Sequence, residues 1–409
     1  MRRFRWLGWM AALVALPGLV VLVEHGRGRA ALERTLVELR ERGEILDASS
    51  LLPPPVPAAS NGFVALKAVS GRLGALPDAA PGALKLVGIG VAVPGTRLEQ
   101  WEGTGTGSTQ TWAKVEAALE ARAEELSGLR AAVKLPVRQA TLDPAQGFAH
   151  MDFSHLTRAK QSAQALGVAA MAQARRGQFD LAVQDLEAAR VLEADRGREP
   201  TLISQLVGCA CSGITSARVW AVLHARDWND AQLERLQRTM TGPAFAGDVI
   251  RSLEFERAVM VTEFRNGSNA DLSQMMYQDV SVLLVTANPP LTLPTSVDEA
   301  WDALKELVER SGGKLRTSVW FPVWRYGWGD HATVHYLRAL DTLLTFQREA
   351  VRRGYASTEA DLSAWVEPST AYGRWCSHYT KESLVGMAGC LAKAFRAETE
   401  RALHETGIA

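Results

Sequence analysis

The chain has 409 residues, 47% of them apolar and 22% charged, which suits a packed core spread over two or three domains or one long helical array. Lysine plus arginine and aspartate plus glutamate both number 45. That balance argues against a nucleic-acid binder, which needs a cationic surplus on one face. Four cysteines are too few for a disulfide scaffold. Cys209 and Cys211 diverge on a helix, whereas Cys376 and Cys390 are free to pair if the fold brings them together.

The chain opens with three arginines in Met1 to Arg5, followed by eighteen uncharged residues, Trp6 to Val23. At 1.5 Å per residue that run just spans a hydrocarbon core of about 30 Å. Trp6 and Trp9 stand where interfacial aromatics belong, and the leading arginines favour a cytoplasmic N-terminus with the bulk of the chain exported. Arg27 and Arg29 weaken that bias. A retained anchor is preferred to a cleaved signal peptide, because the apolar run is long and no A-x-A site precedes Glu24. Pro17 and Gly18 speak for the other reading. The expected division is an anchor over 1–27 with a transmembrane helix at 6–23, a helix and proline-rich spacer over 28–60, a small mixed region over 61–150, and a helical domain over 151–409.

Leu32, Leu36 and Leu39 share one face of a helix expected from Ala30 to Gly43, where glycine caps the end. Four prolines among Pro53 to Pro57 then dictate an extended segment, either laid along the domain or holding it off the membrane. Leu39-Arg40 with Gly43-Glu44, then Leu51-Leu52-Pro53-Pro54-Pro55-Val56-Pro57 and Asn61, resembles the opening of a group of uncharacterised membrane-anchored bacterial proteins. That resemblance implies a bacterial cell-membrane protein with a short helix after the asparagine, and it carries over no activity. Asn61 to Leu73 fits such a helix. Residues 74–108 read as irregular, with a β-like run at Leu86 to Val93, and Thr111 to Val133 reads as one amphipathic helix.

From Ser154 onward the pattern is helical. Helices are expected at Ser154 to Arg176, Phe179 to Asp195, about 200–225, and from Asn229 or Asp230 to Met240, with later starts near Ala246, Asp271, Ser296, Asp330 and Lys381. Ser296 with Glu299 fits a capping box. Within 166–189, Leu166, Ala169, Ala170, Gly177, Phe179, Ala182, Leu186 and Ala189 resemble one tetratricopeptide unit. Gln173 and Ala194 depart from its pattern, and a plain αα-hairpin gives the same small-residue seam. The family would imply a concave protein-binding surface within a hairpin array of about 155–240. The fold class is thus mainly α: an N-terminal transmembrane helix, a small irregular region, then a helical-hairpin array or bundle.

Residues able to carry chemistry are few. His331 and His335 are four apart on a helix, a spacing that can present two rings to one metal, yet Ala332 stands where a zinc protease carries its glutamate. Asp330 reads as that helix's N-cap. His150, Asp152 and His155 form a second polar cluster, in which Asp152 or Ser154 can cap the next helix. Glu256 and Glu263 share a helix face, with Glu254 pointing elsewhere. A buried Glu256 would suit a general acid, against the simpler reading of a salt bridge to Arg257 or another arginine. Trp320, Phe321, Trp324, Tyr326 and Trp328 fall within nine residues with Pro322 and Gly327, which reads as a fixed loop whose aromatics either plug the core or stack on a sugar or peptide. Nucleotide-binding, nucleophile-elbow and CxxC motifs do not occur, and no cofactor is expected.

The preferred reading is a non-enzymatic, membrane-anchored scaffold binding a protein or cell-envelope component, with Trp320, Trp324, Tyr326 and Trp328 as candidate contacts. The alternative is an envelope hydrolase acting on glycan or peptide, with Glu256, His331 and His335 as candidate catalytic residues.

Overall fold

A computed structural model describes residues 2–73, 112–195, 199–225, 227–242, 244–269, 272, 321–354, 380, 383, 384 and 386–408. These residues are mainly α-helical and include no strand, only an isolated bridge between Asn61 and Val137. The expected β-like run at 86–93, the helix starts near Asp271, Ser296 and Lys381, Trp320 and Cys376 lie outside the described residues.

The first helix, α1, runs unbroken from Arg2 to Glu41, 40 residues or about 60 Å. The sequence had suggested an anchor and a separate helix after it. Nothing between Val23 and Ala30 stops a helix: Gly26 and Gly28 lower propensity by about 1 kcal/mol each, which tertiary packing overrides. The stop comes at Gly43, whose φ of +79° suits glycine. There Gly43 N–H donates to Arg40 O (2.9 Å) and Glu44 N–H to Leu39 O (3.0 Å), closing the helix end.

After the prolines come α2 (Phe63–Leu73), α3 (Trp112–Glu120) and α4 (Ala123–Val133). The single helix expected over Thr111 to Val133 is therefore two, separated at Ala121 and Arg122. Next are α5 (Ser154–Arg175), α6 (Phe179–Ala194), α7 (Leu202–Val222), α8 (Asp230–Met240) and α9 (Phe245–Asn266). Asp152 accepts from Ser154 N–H (2.9 Å) at the head of α5. Asn229 and Gln232 form the reciprocal box that opens α8. Gly177, at φ +72°, turns α5 into α6, and Ala163, Ala170, Ala174, Ala182 and Ala189 are buried along the hairpin. Small side chains let these helices approach closely.

Helix α10 (Phe321–Arg353) corrects two expectations. The aromatic segment is not a fixed loop: from Phe321 onward it is part of α10. Asp330 is consequently an interior residue, not an N-cap. The last described helix is α11 (Cys390–Ile408).

Two cores result. One joins α2 to α8 around Leu129, Leu166, Met171, Leu186 and Leu236. The other joins Leu32, Leu36 and Leu39 of α1 to α9, α10 and α11. Helix α7 packs against α5 and α6 on one side and α9 and α11 on the other, linking them. Among the described residues, the helix long and apolar enough to cross a bilayer is α7, with mean hydropathy 1.2. Half of the α7 stretch is buried within the protein, as a core helix would be.

Candidate functional site

The proline segment lies along the domain surface rather than holding the domain at a distance. Asp47 accepts from Ser49 N–H and Ser50 Oγ, starting a short turn that delivers Pro53 to the surface. Pro53 O accepts from Gln139 Nε2 at 3.4 Å. Asn61 Nδ2 donates to Gln139 O (2.9 Å), while its Oδ1 accepts from Gln139 N–H and Phe63 N–H (both 3.0 Å). One side chain thereby sets the start of α2 and ties it to the segment after α4. Between these pieces lies an open pocket of about 370 Å³, lined by Pro53, Pro54, Pro55, Asn61, Thr141 and Glu199 among others. Proline walls have φ already set, so little backbone freedom remains to be lost on binding.

Beneath this pocket Glu199 is 2% exposed. Its carboxylate meets His155 Nε2 at 3.0 Å and accepts from Ser204 Oγ at 2.7 Å, and Ser204 Oγ is 2.7 Å from Thr201 Oγ1. Gln205 Nε2 donates to Glu199 O (2.9 Å). The order is serine–carboxylate–imidazole. A serine nucleophile needs the imidazole next to its hydroxyl as base, with the carboxylate behind, so this cluster is arranged for holding α5 to α7 rather than for acyl transfer.

The cluster of His150, Asp152 and His155 is divided by the fold. Asp152 pairs with Lys67 (3.1 Å) at the surface, and its carboxyl is held well below the usual range by the hydrogen bonds of Ser154, then by Lys67. His155 turns inward to Glu199, and His150 is exposed.

The three glutamates of α9 take separate duties. Glu254 pairs with Arg348 (2.7 Å). Glu263 Oε2 accepts from Phe148 N–H (2.7 Å). Glu256 meets neither Arg257 nor, in its hydrogen bond, any other arginine: it accepts from Leu202 N–H (3.2 Å) at the head of α7. Burial pushes its carboxyl up to about 7, against the opposing pull of that hydrogen bond. Such a value suits an acid–base group, but Glu256 is only 5% exposed and caps a buried helix end. His331 Nε2 is 3.1 Å from Glu24 O and 3.3 Å from Glu24 Oε2, on the α1 side of α10. His335 Nδ1 is 3.1 Å from Thr380 Oγ1, and burial lowers its affinity for a proton. The two histidines therefore serve different neighbours instead of facing one metal, and Glu256 shares neither neighbour. Among the described residues there is no group of three His, Cys, Asp or Glu side chains placed to hold a metal ion.

Of the aromatic candidates, Trp324 is buried, stacked against Phe321 with ring centres 5.7 Å apart. Trp328 is partly buried against the same core, while Tyr326 is 49% exposed. The Tyr326 ring stacks on His25 of α1 (4.2 Å between centres, planes 10° apart), and its carbonyl meets His25 Nδ1 at 2.8 Å. A cleft of about 280 Å³ opens here, lined by His25, Phe264, Phe321, Trp324 and Tyr326 among others.

The strongest ionic feature lies farther along the α1–α10 seam. Glu44 receives Arg348 through two nitrogens (2.7 and 3.0 Å) and also the fully buried Arg257. The hydrogen bond from Arg348, aided by Arg257, overcomes burial and holds the Glu44 carboxyl down at about 2. Neither Glu44 nor Glu199 stands out in sequence, since Arg257 and Arg348 reach Glu44, and His155 reaches Glu199, from helices more than 40 residues away.

Comparisons with protein-family models, with curated proteins and with solved structures return no match.

Proposed function

We propose that this protein is a single-pass bacterial membrane protein whose helical domain is a scaffold, binding a protein or cell-envelope component on the extracytoplasmic side. One observation carries the anchor. Helix α1 is continuous, and its two halves are opposite in character: Leu16, Leu19, Val20, Leu22 and Val23 are exposed, whereas Leu32, Leu36 and Leu39 are core. Five large apolar side chains turned outward within eight residues are costly in water and favourable in lipid. The remaining run back to Trp6 is uncharged, and Arg2, Arg3 and Arg5 precede it. The resemblance of residues 39–61 to membrane-anchored bacterial proteins supports the same reading.

The binding role is assigned to the proline-walled pocket, which is open, rigid and furnished with side-chain amides. The hydrolase alternative has less support, because its three residues are engaged with Leu202, Glu24 and Thr380 respectively.

Two measurements on the full chain test the proposal. Extraction of native membranes with alkaline carbonate should leave the protein in the pellet, and release into the supernatant overturns the anchor. Photo-crosslinking residues introduced at the exposed positions Pro55 and Thr141 should capture one discrete adduct. Absence of any adduct, with the protein folded and membrane-bound, overturns the pocket as the binding site.

A further inference from the structure

We infer that the first turns of α10 are a second membrane contact: Val323 and Tyr326 lie in the headgroup zone of the bilayer that α1 enters, and fix the domain's orientation to it. The inference rests on the proposed anchor and adds a surface which that anchor does not require.

The argument is one of level along α1. Helix α10 runs beside α1 in the same direction. Gly327 faces Val21, His331 meets Glu24, Asp341 pairs with Arg42 (2.9 Å) and Arg348 with Glu44 (2.7 Å). Contacts at 21, 24, 42 and 44 are matched in order by 327, 331, 341 and 348. The start of α10 is therefore level with Val21 to His25, where the uncharged run ends. If residues 6–23 cross the hydrocarbon, about 27 Å at 1.5 Å per residue, that level is the far interface.

The chemistry at this level suits headgroups. Val323 is 42% exposed and Tyr326 49%, beside the exposed Leu22 and Val23 of α1. Both helices thus present exposed apolar side chains at this level, joined by the stacking of Tyr326 on His25. Tyrosine and tryptophan favour the boundary, where the ring meets acyl chains and the polar edge meets water or phosphate. Arg27 and Arg29 follow on α1 with side chains 68% and 70% exposed, and Arg29, whose pair with Glu33 is long and exposed (3.4 Å), can exchange it for lipid phosphate. Glu24, the acidic residue at this level of α1, is already paired with Arg27 (2.8 Å). The helices fit closely here. A Cβ on Gly327 would come within 3.3 Å of Val21 Cγ1, and one on Gly28 within 2.9 Å of His331 Cδ2.

The test uses the full chain in nanodiscs of phosphatidylcholine and phosphatidylglycerol, with nitroxide labels on Leu16→Cys, Val323→Cys, Tyr326→Cys and Leu181→Cys, one at a time. Unsubstituted protein treated with the label sets the background from native thiols. Depth is read as accessibility to oxygen against a water-soluble nickel complex. Leu16 reports the anchor, and the exposed Leu181 of α6 is the aqueous reference. The expected order is deepest at Leu16, several-fold above the reference at Val323 and Tyr326, and aqueous at Leu181. A deep Leu16 with Val323 and Tyr326 both at the aqueous value overturns the headgroup contact and leaves the anchor standing. An aqueous Leu16 overturns the anchor and this inference with it. Two labelled sites on α10 guard against one that perturbs folding.

Discussion

Glu256 offers the sharpest test of how this fold handles charge. Its carboxyl is raised from an ordinary 4.5 to about 7 by burial, so the folded protein resists ionising it. Below about pH 4.5 both folded and unfolded chains hold the proton, and the group costs nothing. Between about 4.5 and 7 the unfolded chain ionises first, and stability falls as pH rises. Above about 7 the full cost is present. Glu256→Gln removes the ionisation while keeping an oxygen to accept from Leu202 N–H. The stability of Glu256→Gln relative to wild type should therefore grow by about 2.5 kcal/mol between pH 5 and pH 8, at 1.36 kcal/mol per pKa unit. Any constant offset from the buried amide cancels in that difference. With unfolding entropy near 2 cal/mol/K per residue over 409 residues, the gain corresponds to about 3 °C in Tm. The assay is denaturant unfolding of both purified full-length proteins across the pH series. Parallel pH profiles would refute the reasoning, showing that Glu256 ionises normally or has a compensating cation.

The remaining predictions probe the other buried contacts. Glu44→Gln should cost about 3 kcal/mol at neutral pH by stripping Arg257 of its carboxylate. Because the Glu44 carboxyl is depressed to about 2, the deficit should narrow as pH falls from about 4.5 towards 2 in acid-unfolding curves. Arg138→Met should cost about 3–5 kcal/mol in denaturant unfolding, since Arg138 and Asp195 form a buried two-bond pair (2.5 and 3.0 Å). Gly28→Leu should cost about 1–3 kcal/mol by forcing α1 from α10. Gly26→Leu, with nothing within 4 Å of its Cβ position, should lose nothing and gain up to about 1 kcal/mol of helix propensity, so a matching loss in both would locate the cause elsewhere. Burial pushes Cys390 up to about 11 and Cys209 up to about 12. Their alkylation at pH 8 should be about a hundredfold slower in native than in denatured protein, read by mass spectrometry.

Local signals were legible where a residue acts on its own neighbours. The Gly43 stop, the Gly177 turn, the cap at Asn229 or Asp230 (Asn229 in the structure) and the α5–α6 hairpin each follow from spacing of fewer than five residues or from one helical face. The aromatic segment misled for a related reason. Pro322 and Gly327 do argue locally for a loop, yet both are accommodated within α10, where Gly327 permits close contact with Val21. The helices expected separately at 6–23 and from Ala30 are one, since two glycines cannot outweigh a helix packed against α10 from Val21 onward.

By itself, then, the sequence determined that the chain is mainly helical, that its first uncharged run has the length of a membrane span, and that its prolines stay extended. These depend on period and composition, which short-range forces read directly. Only the tertiary structure decided where the chemistry went. His155 found Glu199, Glu256 found the head of α7, and His331 and His335 parted to Glu24 and Thr380. Which partner a buried charge meets depends on which helix faces land together, and that is an outcome of packing both cores at once. No residue pair four apart, and no cluster within one helix, carries that information.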